Sequence, residues 1–60
     1  MKKFLIYAHD HFDSEADMIY LCTCDDEDIA KHIKSALHYE DTLGRENVTG
    51  LYDYYIKEEL

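Results

Sequence analysis

The hydrophobic pattern divides the chain into three apolar runs and one stretch with helical spacing. Phe4 to Ala8 is unbroken apolar sequence with aromatic and branched members, so Lys3 to His9 is expected to be a strand. Asp10 to Ala16 is polar, with Asp and Ser suited to turns, and is expected to be a hairpin loop. Asp17 to Cys24, built on the run Met18 to Cys24, is the second strand. Beyond it Ile29, Ala30, Ile33, Ala36, Leu37 and Glu40 recur on one helical stripe, while Lys31, His32, Lys34, Ser35 and His38 fall on the wet side. The helix should start near Glu27, capped by Asp25 or Asp26, and end between Glu40 and Thr42. Gly44 is a natural left-handed stop just past it. Arg45 to Gly50 is a connecting loop. Leu51 to Lys57, with its tyrosines and Ile56, is the third strand. A short terminal helix is the competing reading there, because Lys57 to Leu60 are good helix formers.

The expected order is β-β-α-β, an α+β fold in which a three-stranded antiparallel sheet carries one helix on one face. Residues 1–60 make a single small domain. The third strand must return across the sheet, most simply beside the first. Alternation puts Phe4, Ile6 and Ala8 on one face and Leu5, Tyr7 and His9 on the other. In strand two it sets Met18, Tyr20, Cys22 and Cys24 against Ile19, Leu21 and Thr23. In strand three it sets Tyr52, Tyr54 and Ile56 against Leu51, Asp53 and Tyr55. Neither face is polar throughout, and one helix covers only one of them. A solvated antiparallel face would alternate cleanly. A second copy is therefore expected to cover the other face, giving a homodimer whose interface holds Tyr7, Ile19, Leu21 and Tyr55. Phe4, Ile6 and Ile56 go under the helix. A one-residue slip in register would exchange the two sets.

Charge adds a second theme. The net charge is −8, and Asp10 to Asp28 alone contains eight carboxylates and no Lys or Arg. They fall into two groups, Asp10, Asp13, Glu15 and Asp17 before the second strand and Asp25, Asp26, Glu27 and Asp28 after it. Elsewhere acids and bases cancel. Such a balance repels nucleic acid and anionic membrane and attracts basic proteins. Capping and the helix dipole account for part of the second group, and an acidic surface also serves solubility. No apolar stretch approaches a membrane span, and Phe4 to Ala8 is too short for a signal peptide. Cys22 and Cys24 read as buried, reduced thiols of a cytoplasmic protein.

Candidate chemistry is sparse. His9 and His11 offer an alternative reading as metal ligands. The thiols cannot complete that site, since a hairpin closed over Asp10 to Ala16 sets Phe4 opposite Cys22, about 17 Å from the histidines. Neither cysteine has the electropositive setting of a nucleophile, and paired carboxylates need a pocket that separates their pKa values. The expectation is a protein that is not an enzyme and uses no cofactor.

In size, charge and layout the whole chain resembles the short acidic early proteins of lytic bacteriophages. The likeness is carried by Lys2 to Ala8, the acidic loop, the helix start at Asp25 to Asp28, and Leu51 to Ile56. It implies inhibition of a host factor, in some members by DNA mimicry. The expected function is thus a small acidic inhibitor of a basic DNA- or RNA-binding protein, with all eight carboxylates as the partner-binding set. The alternatives are an oligomerisation or adaptor module whose charge is only solubilising, and a His-based metal-binding protein.

Overall fold

The computed structural model describes residues 2–60. It contains β1 (Lys3–Asp10), β2 (Ile19–Cys24), α1 (Glu27–Thr42) and β3 (Tyr52–Glu59). Both neighbours of β1 run antiparallel to it, in the order β2-β1-β3. This is the expected α+β fold, and the closing segment is a strand. No helix among the described residues is long and apolar enough to cross a membrane.

The continuous apolar run belongs to the central strand because β1 is flanked on both edges and covered by α1. Phe4, Ile6 and Ala8 are buried on the helix side. Across from them, Ala30 is buried, with Ile33 and Leu37 packed beside it. The facing row of α1 is thus Ala30, Ile33 and Leu37. Ile29, one position round from Ala30, is 55% exposed, and Ala36 and Glu40 are exposed as well. The buried stripe is narrower than the six-residue one the pattern suggests.

Local chemistry fixes both helix ends. The Asp26 carboxylate accepts from the N–H groups of Asp28 at 2.8 Å and Ile29 at 3.2 Å. These are orphan donors of the first turn. At the other end the left-handed turn begins one residue before Gly44, at Leu43, with φ 57°. Gly44 follows at φ 69°, and a Cβ there would lie 2.6 Å from the Tyr39 ring. The glycine thus lets Tyr39 lie across the turn. Past it, Asp41 accepts from the N–H groups of Leu51 at 3.0 Å and Tyr52 at 2.9 Å. This clamps the end of α1 to the start of β3. A Cβ on Gly50 would run into that carboxylate, so the clamp needs the glycine.

Leu43 occupies a conformation that costs a side-chain-bearing residue about 1–2 kcal/mol, partly offset by glycine's larger unfolded-state entropy. Its side chain is 72% exposed and packs little. Leu43→Gly is expected to stabilise the fold by about 0.5–1 kcal/mol, read as a higher urea midpoint at unchanged slope. A lower midpoint would show that the leucine side chain contributes more than its backbone costs.

The register departs from expectation in β2. Phe4 pairs with Cys24, not Cys22, and the strand starts at Ile19 rather than Asp17. Ile6 pairs with Cys22 but Tyr7 pairs with Tyr20, so Leu21 is an extra residue, a β-bulge. One unpaired residue inverts the alternation beyond it. Ile19 therefore sits opposite Ala8 on the helix side, and Tyr20 moves to the open face. Leu21 and Ile19 line a recess on the helix side with Ala8, Leu37, Tyr52 and Tyr54. The expected interface set of Tyr7, Ile19, Leu21 and Tyr55 is corrected accordingly. Tyr7 and Tyr55 share the open face; Ile19 and Leu21 do not.

Candidate partner-binding surface

The open face carries a row of three tyrosines across the sheet. Tyr7 in the central strand pairs with Tyr20 on one side and Tyr55 on the other. The Tyr7 and Tyr20 rings meet edge-on with centroids 5.8 Å apart. The Tyr20 hydroxyl bonds Thr23 Oγ1, which fixes its ring further. Leu5, between Thr23 and Lys57, lies beside the row. Tyr20 and Tyr55 are both about half exposed.

The acidic loop between β1 and β2 is held in shape by its own side chains. Asp10 Oδ1 accepts from the Phe12 N–H at 2.9 Å, and Asp13 Oδ1 from the Glu15 N–H at 3.1 Å. These Asx turns use the short side chains in place of backbone partners. His9 Nε2 donates to the Ala16 carbonyl at 2.9 Å and closes the loop across its base. His11 Nδ1 lies 2.9 Å from the Asp53 carboxylate, and its backbone N–H donates to the Leu51 carbonyl at 3.0 Å. Both histidines proposed as metal ligands thus latch the loop, one to its far end and one to β3. Among the described residues no three His, Cys, Asp or Glu side chains converge to hold a metal. The nearer thiol, Cys22, pairs with Ile6, three residues or about 10 Å along β1 from His9 rather than 17 Å. It also points to the opposite face.

Glu15 and Asp17 remain with their carboxylates exposed. At the helix start Asp25 and Asp28 are likewise exposed, Asp26 serves the cap, and Glu27 pairs with Lys31 at 3.0 Å. Among the described residues Glu27 is the only one of the eight within ion-pair distance of a cation. The two groups stand at opposite ends of the sheet, separated by the length of β2, in a slab 36 × 26 × 13 Å. The antiparallel return of β3 adds acids the sequence reading left out. Glu58 and Glu59 pair opposite Phe4 and Lys3, at the helix-start end, and Asp53 pairs opposite His9, at the loop end. Glu58 is partly neutralised by Lys2 at 3.1 Å.

Cys22 and Cys24 are free, half-buried and on the helix side. Burial, then the neighbouring Cys22, pushes the Cys24 thiol up from its ordinary value, with Asp25 and Asp26 acting the same way. A thiol held protonated is a poor nucleophile. Tyr54 is pushed up too, first by burial and then by the Asp41 charge. No protein-family model, no curated protein and no solved structure matches the chain.

Proposed function

We propose that the protein is a small acidic inhibitor, phage-encoded and acting in the bacterial cytoplasm. It occupies the nucleic-acid-binding surface of a basic protein by presenting carboxylates in place of phosphates. The observation that carries this reading is the placement of the acids, in two groups at opposite ends of the sheet, with Glu27 alone of the eight in an ion pair among the described residues. Asx turns and histidine latches hold the loop group, and the capped helix start holds the other. A preformed array binds at a lower ordering cost than a floppy acidic tail. The carboxylates lie on exposed ends rather than in a concave recess, the setting of a surface that meets a partner's cations.

The tyrosine row supports dimerisation through the open face. Tyrosine is favoured in such interfaces because it adds apolar area at low entropic cost. Back-to-back pairing would leave both helices outside and double the acidic groups into one extended band. The same row also favours the second reading, a self-associating module whose acids only keep it soluble.

One experiment separates the two. The protein is immobilised and exposed to nuclease-treated bacterial lysate at about 50 and about 200 mM salt, since phosphate-type contacts weaken steeply over that range. The mimic reading expects a DNA- or RNA-binding protein retained at low salt, lost at high salt, and unable to hold nucleic acid while bound. Retention of its own copies alone, with a sedimentation-detected dimer, would leave only the self-associating module.

A further inference from the structure

We propose that the groove between α1 and β3 binds a small organic phosphate, with Lys34 and Arg45 on the phosphate and Tyr39 and Ile56 against its apolar body. This inference does not rest on the mimic reading, because none of the eight carboxylates lines the groove. Its volume is about 630 Å³, within the span of about 300–1,000 Å³ typical of small-molecule sites. Its lining includes Lys31, Lys34 and Arg45, half of the chain's six Lys and Arg, and no carboxylate. In a chain with 14 acids this is a local reversal of sign.

The reversal is built by the helix and its terminus. Lys31, Lys34 and His38 follow one another at i, i+3 and i+7, on a row beside the core row. Past Thr42 the left-handed Leu43 and Gly44 turn the chain back, and the Arg45 N–H donates to the Thr42 carbonyl at 3.2 Å. Arg45 thereby joins the same groove, and Tyr39, lying across Gly44, also lines it. Lys31 is engaged by Glu27, whose hydrogen bond and charge raise its pKa. Lys34 and Arg45 have no carboxylate within ion-pair distance among the described residues.

Complementing the helix dipole is the ordinary use of cations at this end. Here most of the terminal carbonyls already have partners. Those of Tyr39, Glu40 and Thr42 accept from the N–H groups of Gly44, Leu43 and Arg45, and that of His38 accepts from the Thr42 hydroxyl. Lys34 and Arg45 are left for another anion. A guanidinium fork and an ammonium lining one groove suit phosphate, the fork giving paired bonds and the ammonium a point charge.

Adenosine 5′-monophosphate is the probe, followed through the amide resonances of the whole chain. It is expected to shift Lys34, Ser35, His38 and Arg45 with a dissociation constant of about 1 mM or tighter. Adenosine should bind at least tenfold more weakly, which shows that the phosphate is read. Inorganic phosphate should compete but bind more weakly, which shows that the body adds affinity. Lys34→Gln with Arg45→Gln should reduce binding at least tenfold at unchanged melting temperature, and Arg45→Lys severalfold. Lys57→Gln, on the open face, should change nothing. Equal binding of adenosine, or wild-type binding by the double variant, would overturn the proposal. So would shifts of the same residues with protein concentration alone, which would place a second copy's acidic segment in the groove.

Discussion

Ile6→Ala is expected to remove about half or more of the fold's stability. Ile6 has no exposed surface, the only large side chain so enclosed among the described residues. It sits mid-strand between Cys22 and Ile56, in the buried cluster with Phe4 and Ala30. Truncating such a residue costs about 2–5 kcal/mol, partly through lost transfer energy and partly through the cavity left behind. A fold of 60 residues has roughly 3–9 kcal/mol in total at about 0.05–0.15 kcal/mol per residue. The loss is therefore comparable with the whole stability. Ile29→Ala is the control: the same chemistry on a residue 55% exposed should cost under about 1 kcal/mol. Urea unfolding followed by circular dichroism, at one protein concentration because association also stabilises, measures both. If Ile29→Ala cost as much as Ile6→Ala, the core would not lie where the burial places it.

That pair of variants also marks where sequence reasoning reaches and where it stops. The strand identity of β1, an aspartate cap at Asp25 or Asp26 and the extent of α1 were legible because each rests on local composition, while β3 kept a helix as its competing reading. Hydrophobic periodicity put Ile29 and Ala30 on one stripe, but a helix row centred on Ala30, Ile33 and Leu37 leaves Ile29 at its margin. The bulge at Leu21 was illegible. It carries no Gly or Pro, and it shows only in the pairing of β2 with β1. That single residue moved Tyr20 to the open face and took Ile19 and Leu21 away from it.

The acidic groups were legible as counts and became a surface only through register. Glu58, Glu59 and Asp53 join them because β3 returns antiparallel along β1. His9 and His11 were visible as candidate ligands; their use as loop latches depends on Ala16 and Asp53, which only the fold brings near. The basic groove was hidden for a similar reason. Lys31, Lys34 and His38 read as an ordinary wet face, and Arg45 as a loop residue, until the turn at Leu43 and Gly44 brings them together.

Reversing charge in either acidic group is expected to weaken displacement of nucleic acid from the target by about 10–100-fold. The structure selects which acids to change. Asp10 and Asp13 accept from backbone N–H groups, and Asp26 caps α1, so replacing them would disturb the fold together with the charge. Glu15 and Asp17 at the loop, and Asp25 and Asp28 at the helix start, are exposed and free of ion pairs among the described residues. Glu15→Lys with Asp17→Lys, and separately Asp25→Lys with Asp28→Lys, turn two attractions into two repulsions each. At about 0.2–1 kcal/mol per exposed pair, counted once for the loss and again for the reversal, each double variant loses roughly 1–4 kcal/mol, a range that brackets the 10–100-fold expected. The helix-start variant also gives up a favourable dipole contact of about 0.3–1 kcal/mol, so its melting temperature must be measured beside its affinity. The effect should fall mainly on the association rate and shrink as salt rises from about 50 to about 200 mM, because the Debye length shortens. If the binding surface spans both ends, the two double variants should lose comparable amounts and their losses should add, since the groups are more than 10 Å apart. If both variants compete like the parent while remaining folded, the carboxylates are solubilising groups and the partner contact lies elsewhere. If only one weakens, a single end meets the target, and the band across the dimer is not the recognised shape.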